Sequence, residues 1–282
     1  MSTMRTESVA PSGDFQIIST LRFDPSLPNA IEQRNVESFP KSPYYLLPYH
    51  QTRLLNAARA VNWPKAVGFC EQGLDGLVRI FDNFIPDKTK AWRLRILINN
   101  EGTCKVEANP TTIIDLNTLF LPSEDRPRSD PWLVYVDTEP TTPSVFTTHK
   151  TTVREHYTAA RLRAGITSPQ MPAEVLVVNL KGEIMEGSIT TPYFQLRKSG
   201  KEDMGNDSSP KWITPPLSSG GNAGTTRQYA LSQGFCTEQV VTAAEIRDGE
   251  ECWLSNGARG FVPGRIVRNA SNGSRCNDDR EK

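Results

Sequence analysis

The Pro-broken stretch Asp137-Thr-Glu-Pro-Thr-Thr-Pro-Ser144 most constrains what this chain can fold into. Pro140 and Pro143 each remove a backbone donor and lock φ, so no helix or central strand can run through. The stretch predicts a linker, residues 137–147, between a part at 15–136 and a part at 148–267. On both sides, strand-like and helix-like segments alternate irregularly. That pattern predicts an α+β protein in two parts and argues against a βαβ repeat. A length of 282 residues is enough for two modest domains.

In the first part, residues 15–23, 92–99, 103–108 and 131–136 read as strands, with Asn99-Asn-Glu-Gly102 as a turn. A helix is expected at 51–61, where Leu54, Leu55, Ala58 and Val61 recur at helical spacing. Residues 74–84 share that spacing, and 25–43 read as an irregular excursion. In the second part a helix is expected at 151–164, stopped by Gly165. Residues 174–178 and 183–185 form a hairpin; 211–214, 236–241 and 251–255 read as further strands, and 225–233 as a short helix. Thr242-Ala-Ala-Glu245 has the capping-box pattern. Residues 1–14 and 268–282 read as disordered and 200–210 as a mobile loop.

Thirty-two basic and 32 acidic residues balance, so no global field favours nucleic acid or a membrane surface. No apolar run approaches the roughly 18 residues of a membrane span. The polar N-terminus has no apolar signal core, and the expected location is the cytoplasm. The five scattered cysteines form no Cys-x-x-Cys pair, so neither a disulfide framework nor a metal site is expected.

Candidate chemistry lies in the second part. Lys150 precedes the expected helix, Glu186 ends the hairpin, and Gly220-Gly-Asn-Ala-Gly-Thr-Thr-Arg227 is a Gly-rich turn opening a helix. A lysine in a low-dielectric site keeps a nucleophilic amine. A helix N-terminus with free N–H groups and the hydroxyls of Thr225 and Thr226 suits a phosphate. Ser255-Asn256-Gly257 closes a strand with polar groups. Taken singly, each is more often a solvated lysine, a rim carboxylate or a plain loop. Amine, carboxylate and phosphate cradle in that order are the groups that hold pyridoxal phosphate.

In this order the elements resemble the fold-type IV pyridoxal-phosphate enzymes, which include branched-chain and D-amino-acid aminotransferases and aminodeoxychorismate lyases. The resemblance spans most of 15–265. It implies a smaller N-terminal α/β domain, a larger C-terminal domain with a barrel-like sheet, pyridoxal 5'-phosphate as cofactor, and a homodimer. Ile18-Ser-Thr-Leu-Arg22 is similar to the family's first-strand motif. His50-Gln-Thr-Arg53-Leu54 is similar to the helix start whose arginine contacts the cofactor phosphate. Lys150 matches the lysine that carries the cofactor, with Arg154 and Tyr157 at the following positions. Glu186 matches the pyridinium partner, Thr225 and Thr226 the second phosphate turn, and Ser255 and Asn256 the last polar loop. One departure stands out: Thr191, followed by Pro192, replaces the family's usual Asn.

The Thr-Leu-Arg22 start and the His-Lys-Thr-Thr-x-Arg run look most like fungal-type aminodeoxychorismate lyases. That resemblance implies a small-molecule substrate, 4-amino-4-deoxychorismate, converted to 4-aminobenzoate and pyruvate on the route to folate. Arg22, Arg154 and Arg227 are the candidate anchors for its carboxylates. His149 and His156 flank the lysine, each as a proton shuttle or a hydrogen-bonded structural residue. A class IV transaminase would use the same groups, and a cofactor-binding protein without activity is a third reading.

Overall fold

A computed structural model describes residues 14–36, 39, 41–123, 130–168, 170–196 and 211–268. The expected disordered ends fall almost wholly, and the 200–210 loop wholly, outside them. The first sheet has three antiparallel strands, β1 (Ile17–Phe23), β2 (Trp92–Ile98) and β3 (Cys104–Pro110), in that order. α1 (Leu27–Arg34) packs in a core with Tyr193, Tyr229 and Phe261, while α2 (Leu47–Ala60), α3 (Pro64–Cys70) and α4 (Gly73–Asp82) pack against the three-stranded sheet. α1 lies where an irregular excursion is expected. Pro28 is tolerated in its first turn, while Leu27 and Ile31, one turn apart, bury one face.

The buried face of α2 carries Leu47, His50, Leu54, Ala57 and Ala58 at helical spacing, and Arg53 joins them at 7% exposure. That spacing carries an imidazole and a guanidinium inward along with the leucines.

The second sheet contains β4 (Trp132–Val136), β5 (Ala173–Val178), β6 (Ile184–Gly187), β7 (Thr191–Gln195), β8 (Trp212–Thr214), β9 (Cys236–Glu238), β10 (Glu251–Asn256) and β11 (Gly260–Ile266). Its order is β6-β5-β4-β11-β10-β7-β8-β9. Past β9 the chain returns to the opposite edge. Ile184 N donates to the Val241 carbonyl at 2.7 Å and Ala243 N to the Gly182 carbonyl at 2.8 Å. These bonds curl the sheet into the expected barrel-like form.

β4 pairs with β5 and β11, so the larger sheet begins before the Pro-broken stretch, inside the part assigned to 15–136. The stretch itself lies along β5, with Thr141 N donating to the Val178 carbonyl at 2.7 Å. β7 and β11 are absent from the sequence reading because Pro192 and Pro263 interrupt their patterns. Each proline removes one donor, and the register continues on both sides of it. Thr242 and Glu245 do bond, but around a turn and not a helix. α5 (Val145–Thr148), α6 (Glu155–Arg163) and α7 (Thr225–Ser232) complete the fold.

Candidate active site

Lys150 enters on extended backbone. The β-branched residues Thr151-Thr-Val153 dock on β1: Ile18 N donates to the Lys150 carbonyl and Thr152 N to the Gln16 carbonyl, both at 2.9 Å. α6 therefore starts at Glu155, four residues later than expected from 151, because pairing with β1 overrides local helical preference. Surrounding protein displaces water from the Lys150 amine and lowers its pKa well below the lysine norm. Arg53 and Arg154 push the same way and Glu186 opposes them. The amine is thus more often uncharged than that of an exposed lysine.

Glu186 lies on β6. Burial lifts its carboxyl to about 7, against the opposing pull of the Tyr157 hydroxyl, Arg154, the Asn222 N–H and Lys150. Tyr157, on α6, donates to Glu186 Oε1. A Cβ at position 221 would collide with the Met185 carbonyl, so glycine lets this turn come close enough for Asn222 to bond Glu186.

α7 starts at Thr225 with Gly224 as its N-cap, and no side chain caps its first-turn N–H groups. Thr225 and Thr226 are each 1% exposed, and Thr225 Oγ1 has no partner. Ser255 donates to Thr226 Oγ1 at 2.7 Å; with its single proton used there, it accepts from the Tyr193 hydroxyl at 2.8 Å. Asn256 Oδ1 accepts from Ala258 N and Arg259 N, while its Nδ2 reaches the Ile189 carbonyl at 3.4 Å. Thr191, at the departure from the family pattern, opens β7 opposite Ser255.

Arg53 reaches this region because α2 packs against α7. Its Nη2 donates to Ser19 Oγ at 2.5 Å, its Nε has no partner, and burial lowers its pKa to about 10. His50 bonds Ser19 Oγ through Nδ1 at 2.7 Å, and burial holds its pKa well below the usual range, so the ring is neutral. Unpartnered buried donors at Arg53 and Thr225, beside an uncapped helix start, fit a phosphate. Lys150 and Glu186 fit the carbonyl and the ring nitrogen of pyridoxal phosphate.

The three candidate anchors part company. Arg154 donates to the Ser188 carbonyl at 2.5 Å, lies 4.3 Å above the Tyr157 ring, and its charge acts on both Lys150 and Glu186. Arg22 pairs with Asp24 at 2.8 Å and bonds the Thr112 carbonyl at 3.3 Å. Arg227 holds the Pro215 carbonyl at 2.8 Å together with Glu238. Only Arg154 joins the Lys150–Glu186 group. Near it, His156 Nε2 is buried without a partner. A cleft of about 250 Å³ between Asp137, Arg163 and Arg268 shares no residue with this group.

Ser19 lies inside the first-strand motif, but nothing in the sequence assigned it a role of its own. Asn222 acts through its backbone, which sequence cannot mark, whereas Tyr157 lies within the lysine motif and was legible there.

An α+β fold with a curled sheet, a recessed lysine facing a carboxylate and a phosphate-ready helix start define the class. The chain matches the amino-transferase class IV family over residues 36–267 and belongs to it. This family uses pyridoxal phosphate. An aminodeoxychorismate lyase of Saccharomyces cerevisiae is 30% identical over 221 residues, which is 70% of this chain and 57% of that protein. The chain therefore spans little more than half the length of this curated relative. A putative amino-acid aminotransferase from Mesorhizobium loti shares the fold at a TM-score of 0.65 and 20% identity, covering 90% of this chain and 100% of that one. The 4-amino-4-deoxychorismate lyase from Pseudomonas aeruginosa shares it at 0.58 and 16% identity, covering 90% and 83%.

Proposed function

We propose that this chain is a pyridoxal-phosphate-dependent aminodeoxychorismate lyase that releases 4-aminobenzoate and pyruvate. The observation that carries the cofactor assignment is the grouping of Lys150, Glu186 and Arg154 by mutual charge effects, beside the unpartnered donors of Arg53 and Thr225. Similarity to the yeast lyase supports this reaction over transamination. When bound, pyridoxal phosphate supplies an electron-withdrawing ring that stabilises charge at the carbon bearing the substrate amine.

The chain's own groups divide the remaining work. Arg53, Thr225, Thr226 and the α7 N–H groups hold the phosphate, and Ser255 orients Thr226. The Glu186 carboxylate would accept a hydrogen bond from the protonated ring nitrogen and so keep that ring cationic. Arg154 binds a substrate carboxylate. Lys150 would hold the cofactor through its amine and, with that amine free, would act as general base at the amine-bearing ring carbon. Loss of that proton and cleavage of the enolpyruvyl C–O bond make the product ring aromatic. Protonation of the departing enolpyruvate gives pyruvate.

The test is incubation with pyridoxal phosphate and aminodeoxychorismate without any oxo acid. Equimolar aminobenzoate and pyruvate, abolished by Lys150→Ala, is the expected result. If turnover requires an oxo-acid acceptor, the enzyme is a transaminase and the lyase reading fails.

A further inference from the structure

Glu174, on strand β5 between β6 and β4, is 0% exposed and takes no part in the chemistry above. Its Oε1 accepts from Val175 N at 2.8 Å, Ser188 N at 3.0 Å and Ser188 Oγ at 2.5 Å. Its Oε2 accepts from Ile189 N at 3.1 Å and Thr190 Oγ1 at 2.7 Å. Both oxygens are filled by donors, so this carboxylate is neither a proton carrier nor a ligand for substrate. A Cβ at position 187 would lie 2.9 Å from the Glu174 carboxyl carbon, so the turn packs directly against the acid. Arg161 adds its charge at 3.8 Å and bonds Ser188 Oγ at 3.0 Å.

The turn held in this way follows directly on Glu186, and its carbonyls face the site. The Ser188 carbonyl accepts from Arg154, and the Ile189 carbonyl from Asn256. We propose that Glu174 is a positioning residue: by holding the turn Ser188-Ile-Thr190 it aims the Arg154 guanidinium at Lys150 and Glu186. The inference rests on the reading of Lys150 and Glu186 as the cofactor site. A buried acid with five donors fixes a turn more firmly than backbone pairing alone, since releasing it would leave an unpaired charge inside the protein.

The charges acting on Lys150 come from Arg53, Arg154, Arg95 and Glu186, and neutral His50 also faces it. Arg154 favours the uncharged amine, so loosening it makes Lys150 less reactive at a given pH. The test is competitive acylation of Lys150 in the full chain before cofactor is added, read by peptide mass spectrometry across pH. Labelling near neutral pH is expected to fall about threefold in Glu174→Gln, as it does in Arg154→Gln. The double variant is expected to fall no further than Arg154→Gln alone, since both act through one guanidinium. Thr190→Val, which removes one donor at constant volume, gives a smaller change of the same sign and serves if Glu174→Gln does not fold. Unchanged labelling in the folded variants, or full additivity in the double variant, overturns the proposal. Labelling needs no turnover, so failure of the lyase assay would leave this result standing, and the reverse holds too.

Discussion

Tyr157, on α6, donates its hydroxyl to the Glu186 carboxylate on β6. This bond ties a helix to a strand 29 residues further along the chain and opposes the burial that lifts Glu186 to about 7. Tyr157→Phe removes the donor, so Glu186 is protonated to a higher pH. The acid limb of the kcat/KM profile is expected to move upward while the alkaline limb stays. A profile superposable on the parent's would rule out this role.

Glu186 also links pH to stability. Its folded-state pKa of about 7 lies above the ordinary 4.5, so the folded cofactor-free protein keeps a proton that the unfolded chain has lost. That contribution is fully present below about pH 4.5 and is lost as pH rises through about 7. Glu186→Gln escapes the loss. At pH 8 it is expected to exceed the parent by about 3 kcal/mol in urea unfolding without cofactor, with the gap closing as the pH falls toward 4.5.

Arg53→Met tests the phosphate assignment. The expected result is a Kd for pyridoxal phosphate about a hundredfold weaker, with the Kd for unphosphorylated pyridoxal little changed. Equal losses for both ligands would place Arg53 elsewhere in the site.

Arg22 and Arg154 separate by phenotype. Arg22→Gln leaves Asp24 buried without its cation, so a stability loss of about 3 kcal/mol is expected at nearly constant KM. Arg154→Gln is expected to raise KM for the dianionic substrate about tenfold at nearly constant stability. Thermal melts and steady-state kinetics on both variants decide it, and a large KM effect in Arg22→Gln would return that residue to the site.

Much of this protein was legible in its residues. The helical spacing of α2, the lysine motif, the hairpin leading to Glu186 and the Gly-rich start of α7 are local patterns, and local sterics and hydrogen bonding dictate them. β7 and β11 were not legible, because their prolines break the pattern and only pairing with neighbouring strands makes them strands.

The sequence by itself determined which groups are present, the order in which they come, and the α+β class that carries them. Only the tertiary structure decided which of the candidate arginines lies beside Lys150 and Glu186. Arg22, Arg154 and Arg227 are chemically the same residue, and their partners come from segments as distant in the chain as Thr112 from Arg22 and Ser188 from Arg154. It likewise drew residues 151–154 out of the expected helix, because hydrogen bonds to β1 and Gln16, more than 130 residues earlier in the chain, satisfy backbone groups there that local propensity would have turned inward.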